Sequence, residues 1–162
     1  MNRFTQYIYC LFFFLSTITF CQAQVDSLDV QAVHDVLDDL FDGMRESDSL
    51  KVKSVFADGA KMNSVYTKKN GEFVVRDEKP AGFITAVGTP HEGVWDEKLL
   101  SVEIRIDGNL AQVWTPYEFY LDEDFQHCGV NAFHMIRTTE GWKILQLTDT
   151  RRRSSCDQLK EK

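Results

Sequence analysis

Leu99-Leu100-Ser101-Val102-Glu103-Ile104-Arg105-Ile106-Asp107-Gly108-Asn109 begins a run of alternating residues and turns that extends to Thr150. Leu100, Val102, Ile104 and Ile106 alternate with Ser101, Glu103 and Arg105, and Asp107-Gly108-Asn109 turns the chain. Ala111, Val113, Thr115, Tyr117 and Phe119 then share one face, and Asp122-Glu123-Asp124 makes the next corner. Phe125 to Arg137 follows, Thr139-Glu140-Gly141 turns again, and Trp142-Lys143-Ile144-Leu145-Gln146-Leu147 closes the run. Period-two alternation between Gly/Asp/Asn turns marks half-buried antiparallel strands. Leu99–Thr150 is therefore expected to form one antiparallel meander, and its apolar face needs a cover.

That cover lies upstream. Val30, Val33, Leu37, Leu40, Phe41 and Met44 fall three and four apart, an apolar stripe on a helix of about five turns. Asp26 or Ser27 can cap its start, and Asp38, Asp39 and Asp42 form its wet face. A second helix is expected over Ser49–Phe56, stopped at Asp58-Gly59. Ala60–Tyr66 and Glu72–Arg76 read as a hairpin joined by Asn70-Gly71. Asp77 opens a third helix through about Val87, with Pro80 tolerated in its first turn. The class is α+β: three helices from the N-terminal half packed on a strongly curved antiparallel sheet.

The first residues stand apart. Met1–Ala23 carries one basic residue, Arg3, then the apolar run Tyr7–Phe20 and the small-residue ending Cys21-Gln22-Ala23. That is the layout of a cleaved secretory signal, and the run is shorter than a bilayer span requires. The expected organisation is a signal peptide over 1–23, one domain over 24–152 and a tail over 153–162, with the mature protein periplasmic or secreted. The mature chain then holds 17 basic and 25 acidic residues, a net −8, which excludes the electrostatic footprint of a nucleic-acid binder and disfavours anionic lipid. Arg151-Arg152-Arg153 is the local exception, either a solvated strand end with ion-pair partners or an anion site. Only Cys128 and Cys156 remain in the mature chain, so an exported protein has one possible bridge between them; two buried thiols are the alternative. No CxxC, HExxH or Cys/His cluster with metal spacing is present, and neither a metal nor a cofactor is expected.

Three segments carry a family likeness. Ser49-Leu50-Lys51-Val52-Lys53-Ser54-Val55-Phe56-Ala57-Asp58-Gly59-Ala60, Ala111-Gln112-Val113-Trp114 with Tyr117-Glu118-Phe119, and Gly141-Trp142-Lys143-Ile144 resemble parts of the nuclear transport factor 2-like superfamily. Within it the chain is most similar to exported SnoaL-like or lumazine-binding-type members of unassigned function. The resemblance implies a cone-shaped fold, a bent sheet wrapping a long first helix, with a pocket at the open end of the cone. It implies little about activity, since such members include isomerases, dehydratases, hydrolases and binding modules.

Strand parity then selects candidates, because side chains two apart share a face. Tyr117, His127 and Asn131 are taken as pocket-facing, with apolar walls from Met62, Phe119, Phe133 and Met135. The opposite face of 125–137, with Cys128 and His134, is the alternative, and a bulge at Pro116 would exchange the two. Asn131 points most directly to a polar pocket, because a buried amide needs partners and Asn is depleted in strands. His91 belongs to a loop that could overhang the cone mouth, and Asp149 and Arg151 share parity as a rim ion pair. Trp114 and Pro116 would lie on the outer sheet face and mark a homodimer patch.

Two functions follow. The first is capture of a small apolar or mixed-polarity ligand in the pocket. The second is cofactor-independent acid–base catalysis (an isomerase, dehydratase or hydrolase), with His127 moving a proton while Tyr117 and Asn131 stabilise an oxyanion. Enzymatic members of the superfamily rely on an inward carboxylate, and no Asp or Glu falls on the chosen inner face of 110–137. Asp96, Glu97 and Asp149 are the remaining acids near it, and binding is the favoured reading.

Overall fold

The apolar stripe forms α1, Ser27–Arg45, in the computed structural model, which describes residues 27–160. The expected leader and its cleavage after Ala23 lie outside the described residues. Val33, Leu37, Leu40, Phe41 and Met44 are buried against the sheet, each such side chain contributing roughly 1.5–3 kcal/mol by leaving water. α2 spans Ser49–Ser54, its start capped by Asp48 Oδ1, which accepts from the backbone N–H groups of Leu50 and Lys51 at 2.9 and 3.0 Å. Asp58-Gly59 does not stop this helix. It lies inside β1, Phe56–Thr67, where Gly59 at φ 75° coincides with a register slip between Phe56 and Lys61. β1 pairs with β2, Phe73–Glu78, and Asp77 belongs to that strand, opposite Asn63. α3 therefore begins at Pro80 and runs to Gly88, with the proline in its first turn.

The remaining strands are β3 Trp95–Leu99, β4 Glu103–Asp107, β5 Leu110–Leu121, β6 Asp124–Thr138 and β7 Gly141–Thr150. The sheet order is β2-β1-β7-β6-β5-β3, with β4 also on β5. The expected single strand from Leu100 to Ile106 is in fact interrupted. β3 pairs with Tyr117–Leu121 and β4 with Leu110–Trp114, and Leu100-Ser101-Val102 breaks the edge between them. Leu99 and Val102 turn to the inner core while Leu100 packs outside, against Cys128 and Val130.

The sheet is also mixed rather than wholly antiparallel, because β1 runs parallel to β7. Local alternation specifies a strand but not the direction of a distant partner, so only the turn-linked pairs were open to reading. Three helices thus pack on a curved, unclosed seven-stranded sheet. Bulges sit at Gln126, between the pairs Phe119↔His127 and Tyr120↔Phe125, and at Leu145, between His134↔Gln146 and Met135↔Ile144. Each inserts a residue and bends its strand. Pro116 hosts no bulge and pairs in register with Val130.

On the outer face the tail packs back. Cys128 and Cys156 form a disulfide with Cα atoms 5.9 Å apart, and Leu159, in a 3-10 turn over Asp157–Leu159, is buried beside them. Lys160 Nζ reaches Glu118 Oε1 at 2.9 Å. Pro116 is buried, so the outer patch expected around Trp114 and Pro116 contracts to Trp114, 49% exposed among Glu103, Arg105 and Gln112.

Candidate functional site

A polar row crosses the otherwise apolar inner face. Thr115 on β5 pairs with Asn131 on β6, Asn131 with Asp149 on β7, and Asp149 with Ser64 on β1. All four are buried. Buried polar groups need partners, and Ser64 and Asp149 find each other within the row. Ser64 Oγ donates to Asp149 Oδ1 at 2.5 Å, and Arg151 Nε donates to Asp149 Oδ2 at 2.6 Å. The Asp149–Arg151 pair is thus half built into the core rather than lying on a solvated rim.

Next to this row Tyr117 lies over Gly129. A Cβ at 129 would stand 1.7 Å from the Thr150 carbonyl oxygen and 2.9 Å from Tyr117 Cε1. The bare glycine lets the tyrosine cross to β7, where its single hydroxyl proton lies between two acceptors, Asp149 Oδ2 at 3.1 Å and the Thr150 carbonyl at 3.0 Å. Its phenol is pushed well above the ordinary range by burial, then by Glu97 and Asp149. That hydroxyl is committed within the protein, so the expected role of Tyr117 as an oxyanion donor does not fit.

Glu97 on β3 completes the site. Asn131 Nδ2 donates to Glu97 Oε1 at 2.6 Å. Burial raises the Glu97 carboxyl to about 7, further raised by Asp149, and opposed by the Asn131 bond and by Arg151. His127 packs its ring 5.0 Å from Phe119 and 5.8 Å from Tyr117, and its nitrogens make no hydrogen bond among the described residues. Burial first, and then Arg151, lowers it to about 4, so it is neutral at pH 7.

These groups line a cavity of about 750 Å³. Its walls are Leu40, Phe41 and Met44 of α1, Gly82, Phe83 and Ala86 of α3, Met62 of β1, and Trp95 and Phe119 of the sheet. Of the residues singled out from sequence, Met62, Tyr117, Phe119, His127 and Asn131 line it. Phe133 and Met135 do not: both are fully buried in the core between sheet and α1. His91 stacks on Trp95 at 4.5 Å and bonds the Gly93 carbonyl at 3.0 Å, so it supports a wall residue rather than lining the cavity. No acid of 110–137 lines the cavity, but two of the three acids named near it do. Glu97 and Asp149 both enter it, one from a strand that alternation did not separate from its neighbour, the other from beyond the Leu145 bulge. Ser64 was missed because parity on β1 has no reference until its pairing with β7 is known.

The fold has known relatives. The sequence profile of the family described as "Putative lumazine-binding" matches residues 28–148. The chain belongs to that family. No curated protein matches it in sequence. Solved structures similar to this member of the lumazine-binding-like family include an NTF2-like protein with a cystatin-like fold from Novosphingobium aromaticivorans (TM-score 0.64, 12% identity, covering 87% of this chain and 94% of that one). A protein of unknown function from Mycobacterium tuberculosis is similar at TM-score 0.63 and 9% identity, over 80% of this chain and 75% of that one. An NTF2-like protein of unknown function from Shewanella baltica is similar at TM-score 0.58 and 14% identity, over 78% and 96% of the two chains. At such identities the likeness is one of fold, shared with proteins described as NTF2-like.

Proposed function

We propose that this lumazine-binding-like domain captures a small molecule in the cavity beneath α1, with an apolar or aromatic body on Phe41, Trp95 and Phe119 and a hydrogen-bonding edge on Glu97, Asn131 and His127. The observation that carries the reading is convergence. A half-protonated carboxyl, an amide and a neutral imidazole with unpartnered nitrogens share one concave, largely apolar space, the composition of a binding pocket. Each group can donate or accept, which suits a heterocycle edge of mixed polarity, and the family description favours lumazine as the first compound to try. A Cβ at Gly82 meets nothing within 4 Å and residue 82 lines the cavity, so Gly82→Trp is the variant chosen to set an indole at the cavity wall and obstruct it. The environment-sensitive dye N-phenyl-1-naphthylamine should bind the wild type saturably, be displaced by lumazine, and fail to bind Gly82→Trp. Equal dye binding by both proteins would place it elsewhere and reject this pocket.

The second reading, acid–base catalysis, gains from Glu97 rather than from His127. A carboxyl near 7 is poised to take or return a proton at neutral pH, whereas an imidazole near 4 is a weak base. Turnover of a small carbonyl or enol substrate that Glu97→Gln lowers at least about a hundredfold would convert the binder into an enzyme. Export belongs to the same proposal, supported by the leader-like residues 1–23 and by the disulfide, a bond of oxidising compartments.

A further inference from the structure

We infer that the ligand of this cavity carries an acidic group, a carboxylate or sulfonate, held at the open end by Arg151 and Arg153; the inference rests on reading the cavity as the ligand site. Beyond β7 the run Arg151-Arg152-Arg153 alternates. Arg151 and Arg153 both line the cavity, and Arg152 instead makes a two-way backbone bridge to Cys128, with both N–H···O bonds at 2.9 Å. Cys128 is also the disulfide residue, so the outer strap fixes the segment that presents the two guanidinium groups.

Charge around the cavity is unevenly paired. Four cations, Arg76, Lys79, Arg151 and Arg153, line it together with the carboxyls of Asp77, Glu78, Glu97 and Asp149. Arg76 is taken by Glu78 at 3.3 Å, and Arg151 gives only its Nε to Asp149, at 2.6 Å. Both terminal nitrogens of Arg151 and the whole Arg153 side chain have no partner among the described residues. Glu97 is only half ionised near neutrality. In a chain of net charge −7, the unpaired Arg153 guanidinium and the free terminal nitrogens of Arg151 over an aromatic-walled cavity form a local anion seat, and their planar forks suit a carboxylate or sulfonate. The depressed imidazole of His127, lowered partly by both arginines, is in keeping with cationic charge gathered at that end.

Two dyes with nearly the same ring body separate the contributions. N-phenyl-1-naphthylamine is uncharged, and 8-anilinonaphthalene-1-sulfonate adds one sulfonate. With the full, oxidised protein, Arg153→Gln should weaken the sulfonate dye five- to tenfold and leave the neutral dye within twofold. Arg153→Lys should recover part of the loss, Gly82→Trp should abolish both dyes, and raising salt from 20 to 500 mM should weaken only the sulfonate dye. Arg153 is exposed and unpaired, so its replacement does not threaten the fold; Arg151→Gln is the supporting variant. Equal effects of Arg153→Gln on both dyes, or no effect on either, overturn the inference while the cavity reading stands. Binding of the neutral dye alone overturns it as well. Binding of neither dye to the wild type removes the cavity reading and this inference together.

Discussion

Asn131 donates its side-chain amide to Glu97 at 2.6 Å although β5 lies between their strands. Glu97 pairs with Phe119 and Asn131 pairs with Thr115. On a flat sheet, four residues along β5 and two strand spacings across, the two Cα atoms would be about 17 Å apart. The bond spans that diagonal because the sheet curls, folding β3 over the inner face toward β6. Curvature is thus the device that turns two ordinary strand residues into one site, and the bulge at Gln126 contributes to it.

The Glu97 carboxyl should titrate near 7, and more strongly upward when its donor is lost. Carboxyl carbon NMR of selectively labelled protein should give a midpoint close to 7 for Glu97 in the wild type and a higher one in Asn131→Ala, since the amide bond favours the ionised form. A wild-type midpoint near 4.5 would mean that water reaches the carboxyl freely.

Glu97 and His127 should oppose one another in the pH dependence of stability. Glu97 has a folded pKa of about 7, above its ordinary 4.5, so its contribution to stability falls as pH rises between those values. His127 has a folded pKa of about 4, below its ordinary 6.5, so its contribution is lost as pH falls through that window. Each slope is about 1.4 kcal/mol per pH unit at its steepest, and the two nearly cancel between about 4.5 and 6.5. Urea unfolding should therefore show a flat wild type there, a rise with pH for Glu97→Gln and a fall with pH for His127→Phe. Parallel curves for all three proteins would contradict the assignment.

Gly129→Ala should be severe. Its Cβ would collide with the Thr150 backbone oxygen and the Tyr117 ring, and the carbonyl cannot yield without breaking the bonds from Tyr117 and the Val130–Thr150 contact. A loss of about 2–4 kcal/mol in denaturant unfolding, or failure to fold, is expected. A change under 0.5 kcal/mol would show that β7 is not held as described.

Cys156→Ser should cost about 3.5 kcal/mol in the chain-entropy account, given a separation of 28 residues. Leu159 and Lys160 would lose their seats on Val130 and Glu118. Intact mass of the native protein should lack two hydrogens, and reductant should lower the melting temperature of the wild type but not of the variant. Two free thiols in exported protein would contradict the pairing.

Trp114 tests the outer face. If its exposed indole is the self-association site, sedimentation at tens of micromolar should show dimer in the wild type and monomer in Trp114→Glu. A clean wild-type monomer would leave Trp114 a solitary surface aromatic.

How much of this was legible depended on whether a signal was local. Turns and alternation gave β5, β6 and β7, the stripe gave α1, and Asn131 advertised a polar pocket by being an amide among apolar strand residues. The parallel β1–β7 pairing carries no local mark, so Ser64 could not be placed. Two bulges shifted parity. Gln126 sends Phe125 off the face that holds His127, and Leu145 lets Ile144 and Leu147 both point inward. Phe133 and Met135 sat on the right face but too far along the strands, in the closed core rather than at the cavity. Glu97 needed the break at Leu100-Ser101-Val102 to be recognised as a separate edge strand, and only curvature brings it to Asn131.

Ligand capture in the cavity beside α1 is decided by amide and indole NMR of ¹⁵N-labelled protein titrated with N-phenyl-1-naphthylamine. Saturable shifts at Trp95, Glu97, Phe119, His127 and Asn131, absent in Gly82→Trp, are the predicted result. Shifts confined to Trp114 and Leu110 on the outer face, or none at saturating dye, would contradict it.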